Sequence, residues 1–207
     1  EAWEALTAEE KKQYGGFISQ KPLLPPMPDL TGRGQVRQWK VSDFKGKLGF
    51  DASERSLANG RRMFSIALCS RCHRHGREGY PIGPDLTHVA SRFSRDTLLE
   101  EILLPSRTIA ENYQTVLLNI RDGRQLAGQI IPNLDYRAPN LQLAENPLHP
   151  DKIIRIAKEN IINREHSEVS LMPSGLLNLL DKEEILDLLA WLELGASTGK
   201  ELKAEGK

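Results

Sequence analysis

The chain has 207 residues and a mass of 23.3 kDa, which is enough for one large domain or two small ones with a substantial hydrophobic core. Hydrophobic residues make up 39% of the chain and charged residues 27%, and this composition excludes wholesale disorder. Basic and acidic residues number 28 each, so the formal charge is zero and no basic field favours nucleic acid as a partner. No apolar run approaches the roughly 20 residues that cross a bilayer, so we expect no transmembrane segment.

Residues 1–50 differ in composition from the rest of the chain, and they are interpreted as a helix with a linker after it. Thr7 and Glu10 form a capping-box pattern that predicts a short helix, which ends at a Gly-Gly pair. The next segment, residues 19–34, contains four prolines and two glycines and is therefore predicted to be extended. Because the chain begins at Glu1 with no leader sequence, we expect a processed protein or a fragment. Two aromatic side chains after the linker are candidates to dock it onto the remainder, Trp39 and Phe44.

The two cysteines of the chain lie three positions apart and are followed at once by a histidine. Cys69, Cys72 and His73 form C-x-x-C-H, the attachment pattern of c-type haem. Two thiols at this spacing can reach the two vinyl groups on one edge of a porphyrin, and the adjacent imidazole is a good donor to haem iron. The motif therefore predicts one covalently attached haem c, with His73 as its first axial ligand.

Two other readings of the cysteine pair remain open. A redox-active C-x-x-C usually lies at the start of a helix near a βαβ pattern. A structural zinc ion needs four protein ligands, and the chain contains no further cysteine. A zinc site would have to take ligands without a recognisable spacing from the other histidines: His75, His88, His149 and His166.

Segments on both sides of the motif agree with haem attachment. A helix is predicted before it, with Ser53 as the N-cap and apolar positions up to Cys69. After it, Gly83 and Pro84 predict a rigid turn. A carbonyl of this turn can accept a hydrogen bond from Nδ1 of His73 and fix the tautomer of the ring.

The central part of the chain predicts one helix and then strands. Residues 94–104 predict a helix capped by Ser94. The run at 115–120, an Asp-Gly turn and the run at 125–131 predict a β-hairpin. Weaker apolar runs at 141–143 and 152–156 predict further strands. We therefore expect a small antiparallel β insertion over about residues 113–164.

The last part of the chain contains a candidate distal ligand. Met172 and Pro173 precede a strongly amphipathic helix that Asp181 caps, with Glu184 as its capping-box partner. A thioether from such a loop can bind haem iron and raise its reduction potential. Met172 is therefore the predicted second axial ligand, and His166 is the reserve.

An arginine after the Gly-Pro turn is a candidate contact for a haem propionate. Arg92, which Phe93 follows, carries a guanidinium that pairs well with a carboxylate. A solvated surface role for Arg92 is an equally acceptable interpretation.

These motifs together resemble a class I cytochrome c. More narrowly, the runs at 64–76, 83–106, 122–130 and 168–176 are similar to a C-terminal haem-binding domain of large planctomycete-type and verrucomicrobial proteins. The resemblance implies a mainly α cytochrome c fold. The β insertion would lie between the third predicted helix, at residues 94–104, and the loop that contains Met172. The monohaem domain would occupy residues 51–197, ahead of a disordered tail at 198–207. The resemblance also implies that the turn residues Pro84 and Leu86, and Phe93 after them, contact the haem.

The predicted function is electron transfer by a single haem with His/Met axial ligation, and not catalysis. The resemblance implies that the electron donor is a redox protein or a fused dehydrogenase-like domain. Because thioether attachment takes place outside the bacterial cytoplasm, a periplasmic or otherwise exported location is expected. Two alternatives from other classes are a haem-based gas sensor with a labile Met172 and a zinc-stapled interaction module.

Overall fold

The structure is a computed structural model, and it describes residues 7–9, 23–133, 135 and 137–194. The helix predicted after Thr7 lies outside the described residues apart from its first positions, and so does the tail predicted over 198–207. Among the described residues, no helix has both the length and the apolar character needed to cross a membrane.

Three α-helices lie within the described part of the chain: α1 at Leu57–Ile66, α2 at Arg95–Leu103 and α3 at Lys182–Leu194. Helix α1 packs on α3, and together with α2 they form the main hydrophobic core. Fully buried side chains from all three helices fill it, among them Phe64, Leu99 and Leu188.

Polar side chains at the helix starts account for the helix boundaries. The predicted cap of α2 is confirmed, since the Ser94 hydroxyl accepts a hydrogen bond from the Thr97 amide at 3.2 Å. The predicted capping box of α3 is also confirmed: the Glu184 amide donates to Asp181 Oδ1 at 2.9 Å, and the Asp181 amide donates to Glu184 Oε2 at 3.0 Å.

The cap predicted for α1 is wrong. Ser53 lies in a separate 3-10 turn, Ala52–Glu54, where its amide donates to the side chain of Asp51 at 2.9 Å. The true N-cap is Ser56, whose hydroxyl accepts from the Asn59 amide. Both serines have the right chemistry for a cap, but only Ser56 immediately precedes the helical segment.

The segment that precedes α1 packs against residues 178–180, just before α3. Trp39 and Phe44 were the side chains predicted to dock this segment onto the remainder of the chain. The Trp39 indole donates to the Leu180 carbonyl at 3.0 Å, and its amide donates to Asn178 Oδ1 at 3.2 Å. Phe44 is 1% exposed, and its ring centroid lies 5.2 Å from that of Trp39. Because Phe44 and Ala52 are both buried, the buried interior takes residues from both sides of position 50.

Five strands lie between α2 and α3, and they form one antiparallel sheet in the order β4-β3-β2-β1-β5. Their bounds are β1 Val116–Ile120, β2 Gln125–Ile131, β3 Asn140–Ala144, β4 Ile153–Ala157 and β5 Ile161–His166. The predicted hairpin is confirmed: β1 and β2 pair with Asn119 opposite Gln125, and Gly123 takes φ +90° in the turn between them. The two further strands predicted at 141–143 and 152–156 are β3 and β4.

The prediction of a mainly α chain with the cytochrome c fold is wrong. The described α-helices are only 10, 9 and 13 residues long, and a five-stranded sheet stands beside them. Among the described residues, α-helix is confined to three short segments. By contrast, the side chains of β1 and of residues 125–128 in β2 alternate between buried and more exposed, as a half-buried sheet requires. The sheet also encloses its own buried cluster and is a separate layer: Val116, Leu118, Ile120, Leu126, Leu143 and Ile156.

Candidate cofactor site

The C-x-x-C-H motif begins where α1 ends. Leu68 adopts a left-handed backbone conformation, with φ +62°, and this stops the helix before Cys69. The next residues form a 3-10 turn, Cys69–Arg71, and the His73 amide donates to the Cys69 carbonyl at 2.8 Å. The two thiols and the imidazole are therefore held within about one turn of chain.

The imidazole of His73 is oriented by the turn that the sequence predicted. Nδ1 of His73 lies 2.8 Å from the Pro84 carbonyl oxygen, and the predicted hydrogen bond is confirmed. Because a carbonyl only accepts, Nδ1 carries the proton and Nε2 keeps its lone pair. Burial lowers the pKa of His73, while the hydrogen bond to Pro84 opposes that shift, so the ring is neutral at pH 7. A neutral imidazole with a free Nε2 is the form that binds a metal.

Gly83 allows the Pro84 carbonyl to come this close to the ring. The amides of Ile82 and Gly83 both donate to the Cys72 carbonyl, at 3.1 and 2.7 Å, which fastens the turn to the motif. A Cβ on Gly83 would lie 2.8 Å from Cε1 and 3.0 Å from Nδ1 of His73. This position therefore excludes any side chain unless the imidazole moves.

The Gly83→Ala substitution is expected to displace the His73 ring. The added methyl would clash with an imidazole that is fixed by its own hydrogen bond, and overpacking of this kind costs about 1–3 kcal/mol. We expect the free energy of unfolding to fall by that amount, and the His73 ring resonances to shift in an NMR spectrum. Gly49→Ala is the matched control, because a Cβ there meets nothing within 4 Å. Equal behaviour of the two variants would contradict the close contact at Gly83.

A cavity with about 770 Å³ of empty space, including the part open to solvent, lies against the motif. Cys69, Cys72, His73 and Met172 all contribute to its wall, together with Pro84. The rest of the lining is largely apolar and includes Leu68, Ile82, Tyr113, Leu148, Leu171 and Leu176. The structure thus brings together the four side chains that the sequence singled out for attachment and ligation.

Both cysteines are free thiols and both are desolvated. Burial raises the pKa of Cys69 to about 12, and it raises the pKa of Cys72 to about 11 against an opposing effect of the positive charge of Arg71. The Cys72 thiol donates to the Pro147 carbonyl at 3.2 Å. At neutral pH both sulfurs are therefore protonated, and Cys69 is buried whereas Cys72 is half-buried.

Alkylation of the cofactor-free protein tests this desolvation. With a pKa of about 11, Cys72 has a thiolate fraction at pH 8 that is about 100-fold below that of an ordinary thiol of pKa 9.0. We expect iodoacetamide to modify both cysteines slowly at pH 8, and the rate to rise with pH up to about 11. The same protein in urea is the control, because its exposed thiols should react at the ordinary rate. Equal rates in the two conditions would contradict the burial of the thiols.

Three predicted haem contacts do not line the cavity. Leu86 packs against the main core. Arg92 donates through Nη2 to the Asp85 carbonyl at 3.1 Å, and its guanidinium lies 5.8 Å from the ring centroid of Phe93, which is itself 40% exposed. The reserve ligand His166 lies in the exposed edge strand β5 and is likewise absent from the lining.

The β-sheet contributes cavity residues that sequence reasoning missed. Gln129 of β2 lies in the wall and donates through Nε2 to the Ile82 carbonyl at 3.0 Å, which ties the sheet to the loop behind His73. Ala144 ends β3, and the loop after it adds Asn146, Pro147 and Leu148. The alternation in β2 predicts which strand residues share a face of the sheet with Gln129. It does not indicate which part of the chain packs against that face.

Within the part of the chain that the structure describes, no cluster of three or more His, Cys, Asp or Glu side chains is arranged to hold a metal ion. The zinc-stapled alternative therefore gains no supporting ligand set there. A scan against protein-family models finds no model that matches the chain, and a search of curated proteins finds no match.

Proposed function

We propose that this chain is a single-haem electron-transfer domain. One haem c is attached through Cys69 and Cys72, and His73 and Met172 are its axial ligands. The observation that carries the proposal is a single cavity whose wall holds both thiols, Met172 and an imidazole with its Nδ1 bonded to the Pro84 carbonyl. The proposal concerns this site and does not depend on the cytochrome c fold.

The lining of the cavity fits the cofactor in its chemistry. Its wall is mostly apolar, as a porphyrin face requires. His73 presents a neutral donor nitrogen whose tautomer is fixed by a second hydrogen bond, the arrangement usual for metal-binding histidines. Met172 supplies a soft thioether sulfur.

Attachment uses the two protonated sulfurs. With haem bound, each sulfur would be joined to one former vinyl carbon and its thiol hydrogen to the other, so attachment would need no oxidant or reductant. For Cys72 this is the hydrogen that it donates to the Pro147 carbonyl in the free protein. The 3-10 turn holds the sulfurs on one side of the cavity, which fixes the orientation of the cofactor relative to His73.

When bound, haem supplies a one-electron couple between ferric and ferrous iron. His73 and Met172 would hold the iron, and the apolar wall residues Leu68, Ile82 and Leu176 would limit the entry of water. With no iron coordination position left for a substrate, the site would pass electrons and transform no substrate. We propose that its partner is a redox protein or a fused dehydrogenase-like domain and that it acts in a periplasmic or otherwise exported location, where thioether attachment takes place.

The decisive experiment is co-expression of the chain with a bacterial haem-attachment system, and then intact mass and optical spectra. We expect the mass of one haem to be added and a low-spin spectrum with a weak red band from sulfur ligation. The Cys69→Ser/Cys72→Ser double variant should lose the covalent adduct and keep the fold. A folded wild-type chain with no added mass would reject the proposal.

A further inference from the structure

Arg71 lies between the two cysteines, and its residue as a whole is only 4% exposed. Nη1 donates to the Pro25 carbonyl and Nη2 donates to the Leu148 carbonyl. Nε is buried and has no hydrogen-bond partner within the described part of the chain. The guanidinium is thus held between two backbone segments by neutral acceptors.

Other largely buried arginines in this protein are paired with carboxylates. Arg95 contacts Glu193 at 2.6 Å, and Arg55 contacts Asp187 at 2.8 Å. Arg71 forms no ion pair with any residue between 23 and 133 or between 137 and 194. A buried cation without a counter-ion is costly to keep. Among the described residues no carboxylate neutralises this charge, so its effect on its surroundings is offset only by the dipoles of the two carbonyls.

The surroundings of Arg71 are the cavity wall. The cysteines two positions before it and one position after it, Cys69 and Cys72, both line the cavity, and so does Leu148, whose carbonyl accepts from Nη2. The charge therefore stands directly behind the edge of the cavity that carries the thiols. In an apolar environment of this kind a fixed charge acts more strongly than it does at the surface.

We propose that Arg71 is a potential-setting residue, whose buried charge favours the reduced state of the group bound in the cavity. This inference rests on the proposed function. Reduction lowers the positive charge of the iron centre by one unit, so a nearby fixed cation disfavours the oxidised state more than the reduced state. An arginine remains charged over the whole working pH range, and the effect is therefore constant with pH.

The test is a redox titration of the haem-loaded chain with charge-neutral and charge-keeping variants. At a fixed solution potential, Arg71→Met and Arg71→Gln are expected to lower the ratio of reduced to oxidised protein about tenfold, which corresponds to about 59 mV for one electron. In Arg71→Lys the ratio of reduced to oxidised protein should stay within about threefold of the wild-type ratio. Arg74→Gln is the matched control, since Arg74 also neighbours His73 but is half exposed and paired with Asp85; its ratio should change less than twofold.

Several outcomes would overturn the inference. An unchanged ratio in folded, haem-loaded Arg71→Met would show that the charge has no effect on the centre. An equal fall of the ratio of reduced to oxidised protein in Arg71→Lys and Arg71→Met would assign a merely structural role to Arg71. Failure of both neutral variants to fold, while Arg71→Lys folds, would lead to the same conclusion. A wild-type chain that takes up no haem would remove the proposed function and this inference together, whereas a loaded chain with an insensitive potential would remove the inference alone.

Discussion

In the haem-loaded protein, the Met172→Ala variant is expected to bind carbon monoxide in its ferrous form. Its reduction potential is expected to be lower than that of the wild type by on the order of 100 mV, because the choice of axial ligands changes haem potentials over a range of about 0.8 V. The thioether of Met172 is the distal donor in the proposed site, and a methyl group cannot replace it. Loss of the sulfur removes a ligand that favours ferrous iron, and it leaves the sixth position open. The measurements are a carbon monoxide titration monitored optically and a potentiometric titration.

The controls for this variant separate ligation from a general effect of removing a methionine. Met27 is 51% exposed and is not part of the cavity wall, so Met27→Ala should retain the wild-type spectrum and potential. If Met172→Ala also retains them, the distal ligand lies elsewhere. If the wild type itself binds carbon monoxide readily, the gas-sensor alternative replaces the electron carrier.

The sequence predicted those parts of the site whose geometry is local. His73 and Pro84 are eleven positions apart, and a Gly-Pro turn leaves the chain few ways to close that distance. The caps at Ser94 and Asp181 were predictable for the same reason, because a cap and the amide that it satisfies lie within one turn of each other. The hairpin follows from alternation around an Asp-Gly turn.

Contacts between distant parts of the chain were not predictable in this way. Gln129 reaches Ile82 across 47 positions, and Arg71 reaches Leu148 across 77. Each of these contacts depends on how the sheet packs on the motif loop, which no periodicity in either segment encodes. The position of Arg92 outside the cavity wall was unpredictable for the same reason, since the packing of its loop turns the guanidinium toward the Asp85 carbonyl.

The predicted fold class is wrong because the haem motif constrains only residues near it in the chain, whereas the residues between α2 and Met172 form a whole layer of the fold. Five strands need a buried face of their own, and Val116, Leu118 and Leu143 supply one that does not belong to the helical core. A local attachment motif specifies the chemistry of a few side chains and leaves the surrounding architecture open.

The Gly60→Ala substitution is expected to destabilise the protein strongly, because α3 packs directly against the backbone of α1 at this residue. A Cβ on Gly60 would lie 2.1 Å from the Asp187 carbonyl oxygen and 2.6 Å from the Cβ of Trp191. In an isolated helix, alanine is favoured over glycine by about 1 kcal/mol. Here the clash opposes that gain and outweighs it, since the atom that would be hit belongs to the backbone of a buried helix and cannot rotate away.

Separation of the two helices would also break the polar contacts that join them. The Asp187 carboxylate accepts from Asn59 Nδ2 and from Arg55 Nε, both at 2.8 Å. We expect the free energy of unfolding to fall by about 3 kcal/mol, which lowers the melting temperature by about 6–12 °C for a chain of this size. Gly34→Ala is the control, because a Cβ there meets nothing within 4 Å. A melting temperature for Gly60→Ala at or above that of the wild type would mean that α1 and α3 are farther apart than described. Because the C-x-x-C-H motif follows α1 directly, that result would also contradict the buried position of the motif.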